Sequence, residues 1–190
     1  MNEKAIIFIG GLENRTNSAS DIISNYILKE LENRRIEVTV FNLSEANIPL
    51  LDFSYQQIPA SVEKMLKQFL DADIHFWLSP LYHGSIPGIM KNCLDWLELT
   101  GKLPEPYLTN KKVGMVCWSD GVQSMNGIDT MEKIAKSLRA WPLPYSVSIV
   151  RNNLMDEEKT TTISDFYIER LDRLINIATS TKIQFEPRMK

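Results

Sequence analysis

A short segment able to hold a ligand, residues 80–84, stands between an apolar run and an amphipathic helix. Its residues are Pro80, Leu81, Tyr82, His83 and Gly84. In open α/β sheets, ligands bind beyond the carboxyl ends of the strands, where a helix N-terminus offers free amide groups. Because the segment offers mostly backbone groups, it suits a flat, hydrogen-bonding heterocycle lying against Tyr82 and His83. A reaction that needs a general base fits it less well.

A second polar group follows Gly10 and Gly11 and precedes a predicted helix. Its candidate phosphate donors are Arg15, Thr16, Asn17 and Ser18. The first amides of a helix are free and carry partial positive charge, so a monophosphate could bind there. The alternative is ordinary N-capping, which Ser, Thr and Asn commonly provide. The spacing matches neither Gly-x-Gly-x-x-Gly nor a P-loop, which argues against a dinucleotide-binding Rossmann domain and a P-loop NTPase.

A third polar loop, residues 119–127, follows the fourth predicted strand. Ser119, Asp120 and Gly121 open it. Any one such loop could be a plain turn. The three loops follow the first, third and fourth strands, and a sheet of order 2-1-3-4-5 would bring them together at one edge. The joint pattern therefore indicates one binding crevice.

Other chemistries find little support in the sequence. His75 lies inside an apolar run and is interpreted as a satisfied core residue, while His83 is either a ligand contact or a loop hydrogen-bonding group. The chain has two cysteines, Cys93 and Cys117, whose spacing fits neither a metal site nor a disulfide framework, so buried thiols are predicted. Hydrolase, zinc-enzyme and dithiol motifs do not occur. We therefore expect no catalytic side chain and no metal.

The hydrophobic pattern predicts five strands alternating with helices. The strands are predicted over residues 4–9, 36–43, 74–78, 112–118 and 143–150. Residues 74–78 are apolar apart from His75, as in a parallel strand covered on both faces. Apolar residues then recur at helical spacing and predict a helix over 85–99, with Ser85 as N-cap and Pro87 in its first turn.

A last helix is predicted from the apolar residues between Ile163 and Ala178. Asp156, Glu157 and Glu158 are predicted near its start, where the helix dipole favours acidic side chains.

Two apolar features point to contacts beyond the core. Residues 48–55 carry apolar and aromatic side chains that either border the site or a partner subunit, or pack back on their own sheet. Trp96 lies off the apolar stripe of its predicted helix, which indicates a subunit contact. The alternative is coverage by the loop that contains Pro104.

Composition limits the classes of protein. The 190 residues are 44% hydrophobic, which is enough for one sizeable core, so we expect a single domain over 1–190. A net charge of -3 makes nucleic acid an unexpected partner. The N-terminus lacks a signal-peptide layout and no apolar run is long enough to span a membrane, which together predict a cytoplasmic protein without membrane contact.

The segment from Pro80 to Trp96 resembles a motif of the NAD(P)H-dependent FMN reductases, Pro-x-Tyr-Asn-Gly-Ser-Ile-Pro-Gly-x-x-Lys-Asn-x-x-Asp-Trp. His83 stands at the position of the motif's Asn, and Leu81 where the family usually has Glu. Weaker similarity runs over residues 4–150. The resemblance implies a flavodoxin-like α/β fold, a three-layer sandwich whose five-stranded parallel sheet has the order 2-1-3-4-5.

The first polar loop is similar to a degenerate form of the family's Gly-Ser-x-Arg-x-x-Ser-x-Asn pattern. The matches are Gly10 and Thr16, while Gly11, Glu13 and Ser18 replace the first Ser, the Arg and the Asn. Glu13 therefore stands where the family places an Arg against the FMN phosphate. We expect Glu13 to turn to solvent and Arg15 to supply the positive charge.

The same resemblance implies function. Reduced nicotinamide, as NADPH or NADH, would reduce FMN, and a quinone, azo compound, metal oxyanion or free flavin would then accept the electrons. Residues 81–84 would hold the flavin ring, and Ser119, Asp120 and Gly121 would lie along it. A homodimer, possibly pairing further into a tetramer, is also implied. The alternatives are a flavodoxin-type electron carrier without nicotinamide oxidation and an interaction protein whose flavin site has decayed.

Overall fold

The computed structural model describes residues 3–156 and 162–181 of the chain. The strands are β1 (Lys4–Ile9), β2 (Glu37–Asn42), β3 (Ile74–Pro80), β4 (Lys112–Ser119), β5 (Trp141–Pro142) and β6 (Val147–Val150). The helices are α1 (Ala19–Asn33), α2 (Leu43–Ala46), α3 (Ala60–Asp71), α4 (Gly88–Asp95), α5 (Met125–Ser137) and α6 (Asp165–Thr179). Short 3-10 helices cover Trp96–Thr100 and Arg151–Asn153.

The strands form one parallel sheet of order β2-β1-β3-β4-β5, in which β6 also pairs with β4. This confirms the predicted fold class and order. The predicted fifth strand, residues 143–150, is wrong in extent, because β5 and β6 share that place beside β4 and are separated by residues 143–146. Pro144 has no amide proton to donate to a ladder, so the strand is interrupted there.

Two apolar layers cover the sheet, and β1 and β3 supply alternate residues to each. Phe8 and Trp77 face the layer formed with α3, α4 and α5. Ile7 and Phe76 face the opposite layer, formed with α1 and α6. The middle strands are therefore covered on both faces, and all seven residues of β3 are buried. Only the strand ends are left to contribute to a binding site.

His75 is a core residue, as predicted, and its ring lies edge-to-face against Phe69 at 5.6 Å between centroids. Within the described residues neither ring nitrogen makes a hydrogen bond of ordinary geometry, so the predicted hydrogen bonding is not found, although backbone groups of Phe69 and Ala72 lie near the ring and oppose part of the effect of burial on its pKa. Burial is the main reason that the pKa of His75 falls to about 3. The ring is therefore neutral at physiological pH.

The predicted helix over 85–99 begins later than expected. Ser85 is not its N-cap, because its backbone pairs with Tyr82 in a turn, and α4 begins after Pro87. The helix then tightens into the 3-10 turn Trp96–Thr100, close to the predicted end.

The last helix also begins later than the acidic run suggests. Its first-turn acid is Asp165, and Asp156 instead directly follows Met155, which forms a bridge with Ile163. The position predicted for Asp156 is therefore wrong. Glu157 and Glu158 lie outside the described residues.

Trp96 is not a subunit contact, because residues of its own chain cover it. Its side chain is 2% exposed, its indole Nε1 donates to the Pro49 carbonyl at 2.9 Å, and the ring of Tyr55 lies 5.9 Å away. Asn92 of α4 holds the same segment, since it accepts from the Leu51 amide at 2.8 Å and donates to the Pro49 carbonyl at 2.9 Å. Residues 49–55 therefore pack against α4 and the 3-10 turn of their own chain.

No helix in the described part of the chain is both long and apolar enough to cross a membrane.

Candidate functional site

Three loops meet at the carboxyl edge of the sheet, because β1, β3 and β4 are parallel neighbours that end there. The amide of Gly10 donates to the Leu78 carbonyl at 2.8 Å, and the amide of Leu81 donates to the Trp118 carbonyl at 2.8 Å. The first loop also packs against α4, where a Cβ on Gly10 would collide with the Sδ of Met90. The structure thus brings the three predicted groups of residues together at one edge of the sheet, and the space between them is the predicted crevice.

Ser18, at the end of the first loop, caps α1. Its Oγ accepts from the Asp21 amide at 3.3 Å and lies 2.9 Å from the Oγ of Ser20. Asn17 has a φ of 62°, and its amide donates to Oδ2 of Asp21 at 2.9 Å. Ser18 is therefore the N-cap of α1, as the capping alternative predicted. The carboxylate of Asp21 already accepts a hydrogen bond from the Asn17 amide of the loop.

Glu13 and Arg15 form an ion pair within the same loop. The Glu13 side chain is only 17% exposed, whereas that of Arg15 is 79% exposed. The expectation that Glu13 turns to solvent is therefore wrong. A hydrogen bond from Arg15 to Glu13 and the attraction between their charges raise the pKa of Arg15 above its usual value.

A cavity of about 140 Å³ lies beneath this loop at the start of α1. Its lining is rich in hydroxyl, amide and carboxyl groups: Ile9, Glu13, Asn14, Arg15, Thr16, Ser20, Asp21, Ser24 and Asn42. The sequence indicated Arg15 and Thr16 but missed Ser20 and Asp21, which lie in the first turn of the helix. The spacing of Ser18 and Asp21, an N-cap residue followed three positions later by an acid, was the available signal.

The second loop is a tight turn. Tyr82 and Ser85 exchange backbone hydrogen bonds of 2.9 and 3.1 Å, and the two residues between them, His83 and Gly84, have φ angles of 50° and 84°. Positive φ at both central positions is the geometry of a type I′ turn, which favours Asn, Asp and Gly. The turn exposes half of the Tyr82 side chain and leaves the space beside Gly84 open, since nothing lies within 4 Å of a Cβ built there. Pro80 stays buried in β3.

The third loop is braced from β6. Ser119 Oγ donates to the Gly121 carbonyl at 2.7 Å, and Asp120 forms an ion pair with Arg151, Nε to Oδ1, at 3.3 Å. Arg151 immediately follows β6, so it reaches this loop from the neighbouring strand. Sequence reasoning missed it because nothing in the local pattern distinguishes it from an ordinary surface arginine.

Metal and thiol chemistry gain no support at the crevice. Within residues 3–156 and 162–181, no three His, Cys, Asp or Glu side chains converge as a metal site would require. Both cysteines are buried free thiols, as predicted. Burial raises the pKa of Cys117 to about 12 and raises that of Cys93 further, so neither is a nucleophile.

The fold of the chain is shared by flavodoxin-like reductases of known structure. The FerB flavoenzyme NAD(P)H:acceptor oxidoreductase of Paracoccus denitrificans superimposes with a TM-score of 0.70 and 16% identity, over 92% of this chain and 96% of that one. An azoreductase from Bacillus anthracis gives a TM-score of 0.66 and 15% identity, over 93% and 98% of the two chains. These structures share the fold of this chain.

Sequence comparison narrows the class to a family. The model of the NADPH-dependent FMN reductases matches residues 4–153, so the chain belongs to that family. The FMN-dependent NADPH-azoreductase of Staphylococcus aureus is 28% identical over 150 residues, which cover 76% of each chain. The resemblance seen in the sequence is thus confirmed, and the chain is an FMN-dependent oxidoreductase that uses a reduced nicotinamide.

The described residues fit such a cofactor. The turn at Gly84 is open on one side, beside a half-exposed tyrosine that offers a ring a stacking surface. Thr16 and Ser20 bring hydroxyl groups to the small cavity at the start of α1, where the helix dipole favours an anion. An apolar platform and a polar pocket at a helix N-terminus are the two environments that the ring and the phosphate of FMN require.

Proposed function

We propose that this protein transfers electrons from NAD(P)H to flat aromatic acceptors through FMN held by the three crevice loops. Residues 81–84 and 119–121 hold the ring, and residues 15–18 meet the phosphate end. Bound FMN supplies the hydride chemistry. The side chains of the protein orient the ring and exclude water, and none of them needs to transfer a proton.

The choice of electron acceptor rests on one observation, the exposed apolar side chains of the three loops. Each of the three loops presents a large apolar side chain to solvent: Leu12 is 59% exposed, Tyr82 is 50% exposed and Val122 is 81% exposed. Such side chains at the mouth of a site favour ligands with flat apolar surface. Quinones, azo compounds and free flavin have that surface. A metal oxyanion lacks it, which makes it the less favoured acceptor of the four.

The test is turnover by the protein reconstituted with FMN. We expect oxidation of NADPH or NADH with menadione and with an azo dye, at a higher kcat/KM than with chromate. Tyr82→Ala should raise the KM for the aromatic acceptors about tenfold, because one stacking surface is worth on the order of 1 kcal/mol. Trp141→Ala removes a side chain that is 61% exposed at the opposite edge of the sheet and should leave KM unchanged.

Two other outcomes would contradict the proposal. A coloured protein that takes up FMN but barely oxidises either nicotinamide would be an electron carrier. A protein that stays colourless after addition of FMN would have lost the flavin site.

A homodimer is part of the proposal. Because Trp96 is covered by its own chain, the contact between the two subunits has to use other residues. Leu50 and Phe53 are 75% and 70% exposed, and they belong to the segment that Asn92 and Trp96 hold against the body of the protein. A fixed apolar ridge of this kind suits contact with a second copy. Phe53→Glu should sediment as a monomer, whereas Phe166→Glu, a change at a side chain that is 58% exposed on α6, should leave the dimer intact.

A further inference from the structure

The phosphate end of the crevice already contains negative charge. Glu13 and Asp21 both line the cavity at the start of α1. Each of them also occupies a donor that a bound phosphate could use: Glu13 pairs with the guanidinium of Arg15, and Asp21 accepts from the Asn17 amide at 2.9 Å. Two carboxylates of the protein thus stand where the phosphate of a ligand would be expected.

Glu13 and Arg15 differ in how much of each side chain is exposed to solvent. Glu13 is 17% exposed and lies against the loop, while the Arg15 side chain is 79% exposed. The Ser20 hydroxyl, at 3.4 Å from the Glu13 carbonyl, holds the loop backbone to α1. An incoming phosphate therefore meets a largely covered carboxylate, which it has to displace, and an exposed arginine that is already paired.

We propose that Glu13 and Asp21 act as internal substitutes for the flavin phosphate, so that FMN binds by displacing them and its phosphate adds little affinity. The inference rests on the proposed flavin site of the three loops. It predicts a protein that takes riboflavin almost as well as FMN and exchanges its flavin readily. A phosphate that found both of these donors free would make two hydrogen bonds with its own charge and would favour FMN over riboflavin by more than about a hundredfold.

The experiment is a titration of the wild-type protein with FMN and with riboflavin, followed by flavin fluorescence quenching. We expect the two dissociation constants to agree within about tenfold. Glu13→Gln removes the competing charge without changing the shape of the side chain. The substitution should lower the dissociation constant of FMN by about tenfold or more and that of riboflavin by less than about threefold.

A matched control separates this local effect from the change in net charge. Glu132 on α5 also pairs with a basic side chain, that of Lys136, but its helix is not part of the first loop. Glu132→Gln should leave both dissociation constants unchanged.

A second variant tests the partner of Glu13. If Glu13 withholds Arg15 from the phosphate, the gain in Glu13→Gln should shrink when Arg15→Ala is added, and the riboflavin affinity should not change. Neither Glu13 nor Arg15 belongs to the two apolar core layers, so circular dichroism should show unchanged folding.

The outcomes distinguish this inference from the proposed function. FMN binding at least about a hundredfold tighter than riboflavin, with no effect of Glu13→Gln, would overturn the inference and leave the flavin site in place. If neither flavin binds to the wild type or to Glu13→Gln, the proposed site is wrong and the inference is overturned with it.

Discussion

The second crevice loop has backbone strain at two of the residues that are proposed to hold the flavin ring. His83 and Gly84 both have positive φ, and only Gly adopts such a conformation at no steric cost. The His at the first central position tolerates its φ of 50° less well than the Asn of the family motif would. A non-glycine residue is retained there by the two backbone hydrogen bonds that close the turn.

Gly84→Val should weaken FMN binding more than it weakens folding. The valine is strained at a φ of 84° and fills the open space where the ring is proposed to lie, but no packed atom lies within 4 Å of its Cβ position. We expect a loss of about 1–2 kcal/mol of stability from the strain and a loss of FMN affinity of more than about tenfold. Urea unfolding and fluorescence titration measure the two quantities. Gly88→Ala, also with no heavy atom within 4 Å but without positive φ, is the control and should change neither.

His75 should make the protein less stable in mild acid. Its pKa is about 3 in the folded chain against about 6.5 when exposed, so the unfolded chain binds the extra proton between these values and stability falls as pH drops below 6.5. At pH 5 the loss is about 2 kcal/mol. His75→Leu should remove this part of the pH dependence in urea unfolding, and His83→Asn, a change at the other histidine, should not. Parallel pH profiles for wild type and His75→Leu would contradict the assignment.

At the scale of elements, the sequence predicted what periodicity and composition control. The buried strands β1, β3 and β4 were predicted almost to the residue, because apolar runs between polar loops leave little choice. Helix starts were predicted less well: Ser85 has the composition of an N-cap, but its backbone is already used in the turn with Tyr82. Whether Ser85 closes the turn or caps the helix depends on the backbone φ angles of the segment, which residue type alone does not specify.

The prediction for Trp96 failed for a similar reason. The helical stripe left Trp96 outside the core, whereas the structure buries it in the core layer, under residues 49–55, which lie more than forty positions earlier in the chain. Long-range contacts of this kind leave no periodic signal. The same holds at the site, where the Asp120–Arg151 pair joins two strands, and where the orientation of Glu13 depends on packing within its loop.

Asn92→Ala should loosen residues 49–55 from α4. The change removes two hydrogen bonds, to the Leu51 amide and to the Pro49 carbonyl, which together are worth about 1–3 kcal/mol. We expect that loss in the free energy of unfolding, together with higher proteolytic sensitivity in this segment. Asn33→Ala on α1, where the exposed Asn33 side chain bonds to Glu30, is the control and should cost less than about 0.5 kcal/mol. Equal losses in the two variants would show that Asn92 does not hold the segment.

At the scale of the whole molecule, the strand order determines where function can lie. The sheet places the ends of β1, β3 and β4 side by side, so three loops distant in sequence form one crevice. The joint occurrence of polar loops after these strands was visible in the sequence, which is why the meeting of the three loops could be predicted although their internal contacts could not. The opposite edge of the sheet, near Asp73 and Lys111, holds an ion pair between loops and forms no part of that crevice.

One ligand in that crevice should protect all three loops at once. In hydrogen exchange with FMN added, we expect slower exchange in residues 10–18, 81–87 and 119–124 together and no change in residues 108–111 at the opposite edge. At a concentration of FMN about a hundred times the dissociation constant, stabilisation of about 2.7 kcal/mol should raise Tm by roughly 5 to 10 °C. Adenosine monophosphate, which carries a phosphate but no flavin ring, should give neither effect. Protection confined to the first loop would mean that the ligand is held by its phosphate alone and that the crevice does not act as one site.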